Sequence, residues 1–205
     1  MSRTLRFIVL LSALASSLIA LPGAAGAVTW HNTGDTAFTA TTGSYTFSST
    51  GASLSCSGIT YNGTTGPSPF VGAVWTGITM TSTSPCTFSG VQNTVTCNYR
   101  FTGATQPAGS NTVGGFLDTT CDLNPFFGTC HWSGSLPAQY HNPSGATPGR
   151  FTIPTSNVLR LSNGTSGTCA LGNGDALHYS AQVAFITSAT GGPSPHLGPV
   201  VTRTA

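Results

Sequence analysis

Apolar and polar residues alternate along this chain with a period of two. Val95, Cys97, Tyr99 and Phe101 are apolar, while Thr94, Thr96, Asn98 and Arg100 between them are polar, the pattern of a strand with one buried and one wetted face. Short runs rich in Thr, Val, Phe and Tyr predict strands at Val28 to His31, Thr36 to Thr41, Tyr45 to Ser49, Ser53 to Ser57, Val71 to Trp75 and Ile78 to Ser82. Others are expected at Thr94 to Phe101, Val113 to Thr120, Thr129 to Ser133, Val158 to Ser162 and His178 to Thr187. Gly, Pro, Asn and Ser punctuate them, and Asn62-Gly63, Asn163-Gly164 and Asn173-Gly174 read as tight hairpin turns. A further turn is expected near Gly109-Ser110. The proline-dense stretch from Leu136 to Pro154 reads as an extended loop. No window past the first residues sustains a helical period. Many short antiparallel strands at this spacing predict an all-β fold, an antiparallel β-sandwich or jelly-roll-like single domain.

The first residues follow a different pattern. Arg3 and Arg6 precede an apolar run from Phe7 to Leu21, Pro22 and Gly23 break it, and Ala25-Gly26-Ala27 supplies small residues for cleavage. This predicts a signal peptide over 1–27, removed before Val28, and a single secreted domain over 28–205. The apolar run is shorter than the roughly twenty residues of a membrane helix, and nothing later is long enough to span.

Charge then narrows the function. The chain has no lysine and no glutamate; from Val28 onward it carries Asp35, Asp118, Asp122 and Asp175 against Arg100, Arg150, Arg160 and Arg203. A neutral surface has no long-range attraction for nucleic acid or anionic lipid, so neither is an expected partner. Thr and Ser pave the faces where Lys and Glu usually stand. Thr suits a pleated surface, but the edges then lack the charges that normally protect them. With so few titrating groups, stability is expected to change little between mildly acidic and neutral pH.

The cysteines Cys56, Cys86, Cys97, Cys121, Cys130 and Cys169 all follow the leader. An even count in an exported chain reads as about three disulfides, and no Cys-x-x-Cys knuckle suggests zinc. Spacing favours Cys56–Cys86, Cys121–Cys130 across a turn at Asn124-Pro125, and Cys97–Cys169 as the remaining tie. A rival joins Cys97 to Cys121 across the turn near Gly109-Ser110.

Candidate chemistry is sparse. His31, His131, His141, His178 and His196 form no local metal-binding pair, and neither a metal nor a cofactor is expected. Asp118, Asp122, His131 and His141 form the densest polar cluster, from which a Ser-His-Asp arrangement is conceivable; the plainer reading makes them surface residues beside a disulfide. Asp118 and Asp122 would lie about 13 Å apart in an extended strand, too far for the about 5–9.5 Å of a glycosidase pair. The segment from Gly66 to Gly72 (GPSPFVG) echoes that from Gly192 to Gly198 (GPSPHLG). Neither is a nucleophile elbow, because Phe70 or His196 stands where the second glycine is required. Trp30, Trp75 and Trp132, with Tyr61, Tyr140 and Tyr179, are candidates for a sugar-stacking platform. The alternative places Trp75 in the core and the tyrosines at sheet ends with one wet tip. Asn62 and Asn163 also head Asn-x-Thr sequons.

The start Val28-Thr29-Trp30-His31-Asn32, the segment Cys56-Ser57-Gly58 and the run from Asn142 to Arg150 resemble secreted Thr/Gly-rich, six-cysteine β proteins of actinobacteria. That resemblance implies export and an all-β fold and brings no catalytic residues with it. The stretch from Cys121 to Cys130 is similar to the disulfide hairpins of small immunoglobulin-like chromoprotein carriers, which are shorter chains. The expected function is a non-catalytic extracellular domain acting at the cell surface or in the medium, with a cell-wall glycan or an extracellular protein as partner. Its alternatives are a carbohydrate- or small-ligand-binding module and an Asp/His hydrolase.

Overall fold

The computed structural model describes residues 28–49, 52–66, 68–72, 74–88, 90–124, 130–163 and 176–204; the predicted leader, Cys169 and Asp175 lie outside them. The described residues form strands β1 (Thr29–Gly34), β2 (Ala37–Thr41), β3 (Tyr45–Ser49), β4 (Ala52–Cys56), β5 (Thr60–Thr65), β6 (Phe70–Val71), β7 (Trp75–Phe88) and β8 (Val91–Thr105). They continue with β9 (Thr112–Asn124), β10 (Cys130–His141), β11 (Arg150–Ile153), β12 (Ser156–Asn163), β13 (Ala176–Tyr179), β14 (Gln182–Thr190) and β15 (Pro199–Thr204). No helix occurs among these residues, so none is long and apolar enough to cross a membrane.

The strands close on themselves. β7, β8, β9 and β10 pair in sequence as one long antiparallel wall. Opposite them the chain runs as four long strands, each broken midway: β2 into β3, β4 into β5, β11 into β12 and β13 into β14. Each half pairs with the matching half of its neighbour, β2 with β5 and β14, β3 with β4 and β13. β7 takes β5 and β4 on one side, and β10 takes β11 and β12 on the other. The result is an up-and-down ring of eight strands counted this way, with sequence neighbours paired throughout and the last returning to the first. A jelly-roll-like sandwich, expected from the sequence, would leave open edges and non-sequential pairings. Closure removes the edges, which a chain without lysine or glutamate cannot guard by charge.

A second sheet, ordered β15–β1–β6, closes the end where Thr105, Thr112 and His141 lie. Trp30 and Val201 on it have no exposed surface and join the core. Side-chain amides hold β15 in place. Asn142 accepts from the Val201 N–H at 2.8 Å and donates to its carbonyl at 2.7 Å, and Gln106 accepts from the Arg203 N–H at 2.6 Å. The two echoed segments lead into β6 and toward β15, the strands on either side of β1, and both contain a cis Ser–Pro bond, Ser68–Pro69 and Ser194–Pro195.

Several local expectations are corrected. Asn62-Gly63 is no turn but the middle of β5, and a Cβ on Gly63 would land on the Phe38 ring; glycine is there for close packing. The stretch from Leu136 to Pro154 is not one loop, since β10 runs through Pro137 to His141 and β11 follows. Pro137 is tolerated because it falls between the β10 residues that pair with β12, ending at Ser133, and those that pair with β11, starting at Gln139. No ladder bond is required on that side. The turn near Gly109-Ser110 is present, with Gly109 at φ 73°.

Cys56–Cys86 forms as expected, across β4 and β7 with a Cα–Cα distance of 4.0 Å. The other pairings are corrected. Cys97 stands directly opposite Cys121 in the β8–β9 register and bonds to it, Cα–Cα 4.1 Å, so neither Cys121–Cys130 nor Cys97–Cys169 forms. Cys130 instead faces Leu123, and Trp132 takes the place opposite Cys121. Cys130 is itself disulfide-bonded. Each bridge adds about 2–4 kcal/mol, chiefly by restricting the unfolded chain. Non-reducing peptide mapping is expected to recover Cys56 with Cys86 and Cys97 with Cys121; a Cys121–Cys130 peptide would overturn this.

Candidate functional site

Side chains inside the ring are buried and those outside are wetted, so the outer wall is written by every second residue. Register places Thr39, Asn62, Thr81, Asn98, Thr120 and Ser133 side by side across β2, β5, β7, β8, β9 and β10. A second row, one step along the strands, holds Thr64, Thr79, Arg100, Asp118 and Ser135. Neighbours within a row are about 4.8 Å apart and the rows about 6.8 Å apart, as strand geometry requires. Between them the wall is hollowed into two adjoining depressions of about 490 and 550 Å³, which share Thr79, Met80 and Thr81.

The second row is largely self-satisfied. The Thr64 and Thr79 hydroxyls meet at 3.0 Å. Asp118 accepts from Ser135 Oγ at 2.6 Å and Thr102 Oγ1 at 3.3 Å, and pairs with Arg100 at 3.8 Å. The Arg100–Asp118 pair thus cancels the charge of the trough. In the first row, Thr81, Asn98, Thr120 and Ser133 have side chains with no partner among the described residues, and all are exposed. Their hydroxyls and amide offer donors and acceptors at regular intervals. Outward rows of Thr, Asn and Ser also differ from the apolar band of a lipid-facing barrel.

The predicted polar cluster separates into three places. Asp122 and His131 are opposite one another on β9 and β10, and the ring Nδ1 lies 2.8 Å from the carboxylate on the open surface. Asp118 belongs to the trough. His141 sits at the far end of β10 between Thr112 and Thr152, with its pKa lowered by desolvation and then by Arg150.

A contact that sequence spacing does not reveal joins Asp35 to His196. Asp35 is only 1% exposed; it accepts from His196 Nδ1 at 2.7 Å and from the Gly198 N–H at 3.0 Å. The imidazole is about half exposed, beside a shallow cleft of about 230 Å³. These bonds clamp the corner between β1 and β2 to the segment that enters β15. Among the described residues no group of three His, Cys or Asp side chains gathers closely enough to hold a metal ion.

Of the aromatic candidates, Trp30 and Trp132 have no exposed surface, and Tyr61, Tyr140 and Tyr179 are equally buried. None of these rings can stack a ligand from outside, and the tyrosines do not sit at sheet ends with a wet tip. Trp75 lies in β7, opposite Gly103, and its side chain is outside the described set. Trp30 plugs the capped end, with its indole N–H donating to the Gly72 carbonyl at 3.1 Å and Arg203 over its ring. Trp132 faces the barrel interior, 5.1 Å from the Phe47 ring. No protein-family model matches the chain, and no curated protein or solved structure does.

Proposed function

We propose that this is a secreted, non-catalytic binding domain that holds an uncharged, hydroxyl-rich partner of the carbohydrate class in the trough across β5 and β7 to β10. The supporting observation is the free row Thr81, Asn98, Thr120 and Ser133, set at regular spacing in a hollow whose charges cancel. A partner there is held by hydrogen bonds to hydroxyls and one amide, each worth about 0.5–1.5 kcal/mol net, so affinity comes from repetition along a chain. The disulfides and the leader favour an oxidising, extracellular setting. Both Asp–His contacts are read as ties of the scaffold, because Asp35 also binds the Gly198 backbone and Asp122 pairs with its direct cross-strand neighbour.

Retention on insoluble uncharged glycans, cellulose and chitin among them, tests the reading directly. The domain is expected to bind at least one, with little change between low and high salt, because no ion pair is involved. The double variant Asn98→Ala/Ser133→Ala is expected to fold normally and to bind about tenfold more weakly. Retention of no glycan in the panel, or equal retention of the variant, would overturn it.

A further inference from the structure

One step along β9 and β10 from the trough, the outer wall changes character. Phe116 and Pro137 stand opposite one another and are the next outward positions after Asp118 and Ser135, about 6.8 Å further on. Beside them lies a third hollow, of about 430 Å³, within the roughly 300–1,000 Å³ of small-ligand sites. Phe116, Pro137 and Pro154 form its apolar side and Thr105, Gln139 and Thr152 its polar side. No ionisable side chain lines it.

Two glycines open the hollow. Gly114 is two residues from Phe116 on β9 and shares its outward face, so the wall beside the ring is bare. Gly115 between them is required by a β-bulge: the β8–β9 register shifts between Gly103 and Thr105, and a Cβ on Gly115 would land on the Thr102 carbonyl. A lone exposed Phe is ordinary on a protein surface, but this one is set beside a bare hollow. Its side chain is 50% exposed and packs against no other aromatic ring among the described residues. Gln139 stands directly opposite Gly114 on β10; it is exposed, and its amide has no hydrogen-bond partner among the described residues. The occupant that suits both sides has one apolar face and a rim of hydroxyls. A pyranose with equatorial hydroxyls has that form. A flat hydrocarbon would cover the Gln139 amide without pairing it, and an ion would meet no counter-charge.

We propose that the Phe116 hollow is a sugar-ring subsite, in which an uncharged pyranose lies on the Phe116 ring and exchanges hydrogen bonds with the Gln139 amide. The proposal rests on the carbohydrate class read for the trough, though not on the trough's own residues. It supplies the exposed flat ring that Trp30, Trp132 and the buried tyrosines do not.

Cellohexaose and chitohexaose, soluble chains of pyranoses with equatorial hydroxyls, are the probes. Calorimetry on the exported protein is expected to show saturable binding of at least one. In NMR spectra the amide signals of Gly114, Gly115 and Gln139 are expected to shift with it. Phe116→Ala is expected to weaken binding about tenfold, and Phe116→Leu nearly as much, because Leu is apolar but has no flat face. Phe116→Tyr should keep it. All three variants should melt with the parent, since the side chain is already half in water. Phe185→Ser removes another half-exposed ring, on β14 and outside the hollow, and is expected to bind like the parent. Weak binding by Phe116→Ala with Asn98→Ala/Ser133→Ala unaffected would keep this subsite and remove the trough. The reverse would keep the trough and overturn the subsite. Saturable binding that leaves the Gly114 and Gln139 signals unmoved would also overturn it, as would equal weakening by Phe185→Ser. Binding of neither probe removes the carbohydrate class and the subsite with it.

Discussion

Above about pH 10 the protein is expected to lose its fold in a single steep transition, with tyrosinate absorbance rising as the β-sheet signal falls. All five tyrosines of the chain, Tyr45, Tyr61, Tyr99, Tyr140 and Tyr179, are buried at 3% exposure or less. Desolvation raises the pKa of each above its ordinary 10.0, Tyr99 to about 12, Tyr45 and Tyr140 further, and Tyr61 and Tyr179 well above the ordinary value. For Tyr140 the nearby Asp35 carboxylate adds to the effect. Tyrosine is an acid, so a raised folded pKa means that the folded state keeps protons which the unfolded chain gives up near pH 10. Below that pH both states hold them and stability is unaffected. Above it the unfolded state binds fewer protons, and stability falls with rising pH until the folded groups ionise too. Five groups give a limiting slope of roughly 7 kcal/mol per pH unit. A domain of about 5–15 kcal/mol is exhausted within one or two units. Ultraviolet absorbance and circular dichroism on one alkaline titration should therefore coincide, and Tyr45→Phe should move the midpoint upward. Tyrosinate appearing at pH 10 with the sheet signal intact would show that the rings are reachable by water.

How far the fold could be read in advance depended on the range of the interaction. Alternation from Val95 to Phe101 is local, and β8 lies where it predicted, inward residues buried and outward ones wetted. The Cys97–Cys121 bridge was legible as a rival, because a turn near Gly109 places the two opposite each other. Closure was harder. The pairing of β13 and β14 with β3 and β2 joins the two ends of the ring, and no spacing encodes it. The missing lysine and glutamate were a signal for it: without charges to guard an edge, the stable solution is to have none. Gly63 misled because glycine after asparagine usually marks a turn, whereas here the Phe38 ring requires its lack of a side chain. Rows such as Thr81, Asn98, Thr120 and Ser133 emerge only once register is known. The burial of all five tyrosines was equally hidden, since a period of two says which residues point the same way but not whether water lies there.

Replacement of His196 by alanine is expected to destabilise the protein by about 2–3 kcal/mol, somewhat less than the about 3–5 kcal/mol for breaking a fully buried pair. The asymmetry of the contact sets this value. Asp35 is enclosed while the imidazole is about half exposed, so removing the ring leaves a carboxylate out of water with only the Gly198 N–H as partner. Water reaching the space left by the ring recovers part of the loss. His196→Gln, which keeps a donor on a side chain of similar reach, is expected to restore more than half of it. The clamp joins the β1–β2 corner to the segment before β15, and Gly192 approaches the Gly34–Asp35 backbone so closely that a Cβ would overlap it. The damage should therefore be local to the cap: amide exchange should accelerate first in β15 and β1, with β8 and β9 still protected. In thermal unfolding the change corresponds to a lowering of roughly 4–12 °C for a domain of this size. Equal melting temperatures for His196→Ala and the parent would show that the contact is not a clamp. With no stabilising role to explain it, an enclosed carboxylate behind a half-exposed imidazole would then have to be tested as a general base in the cleft beside it.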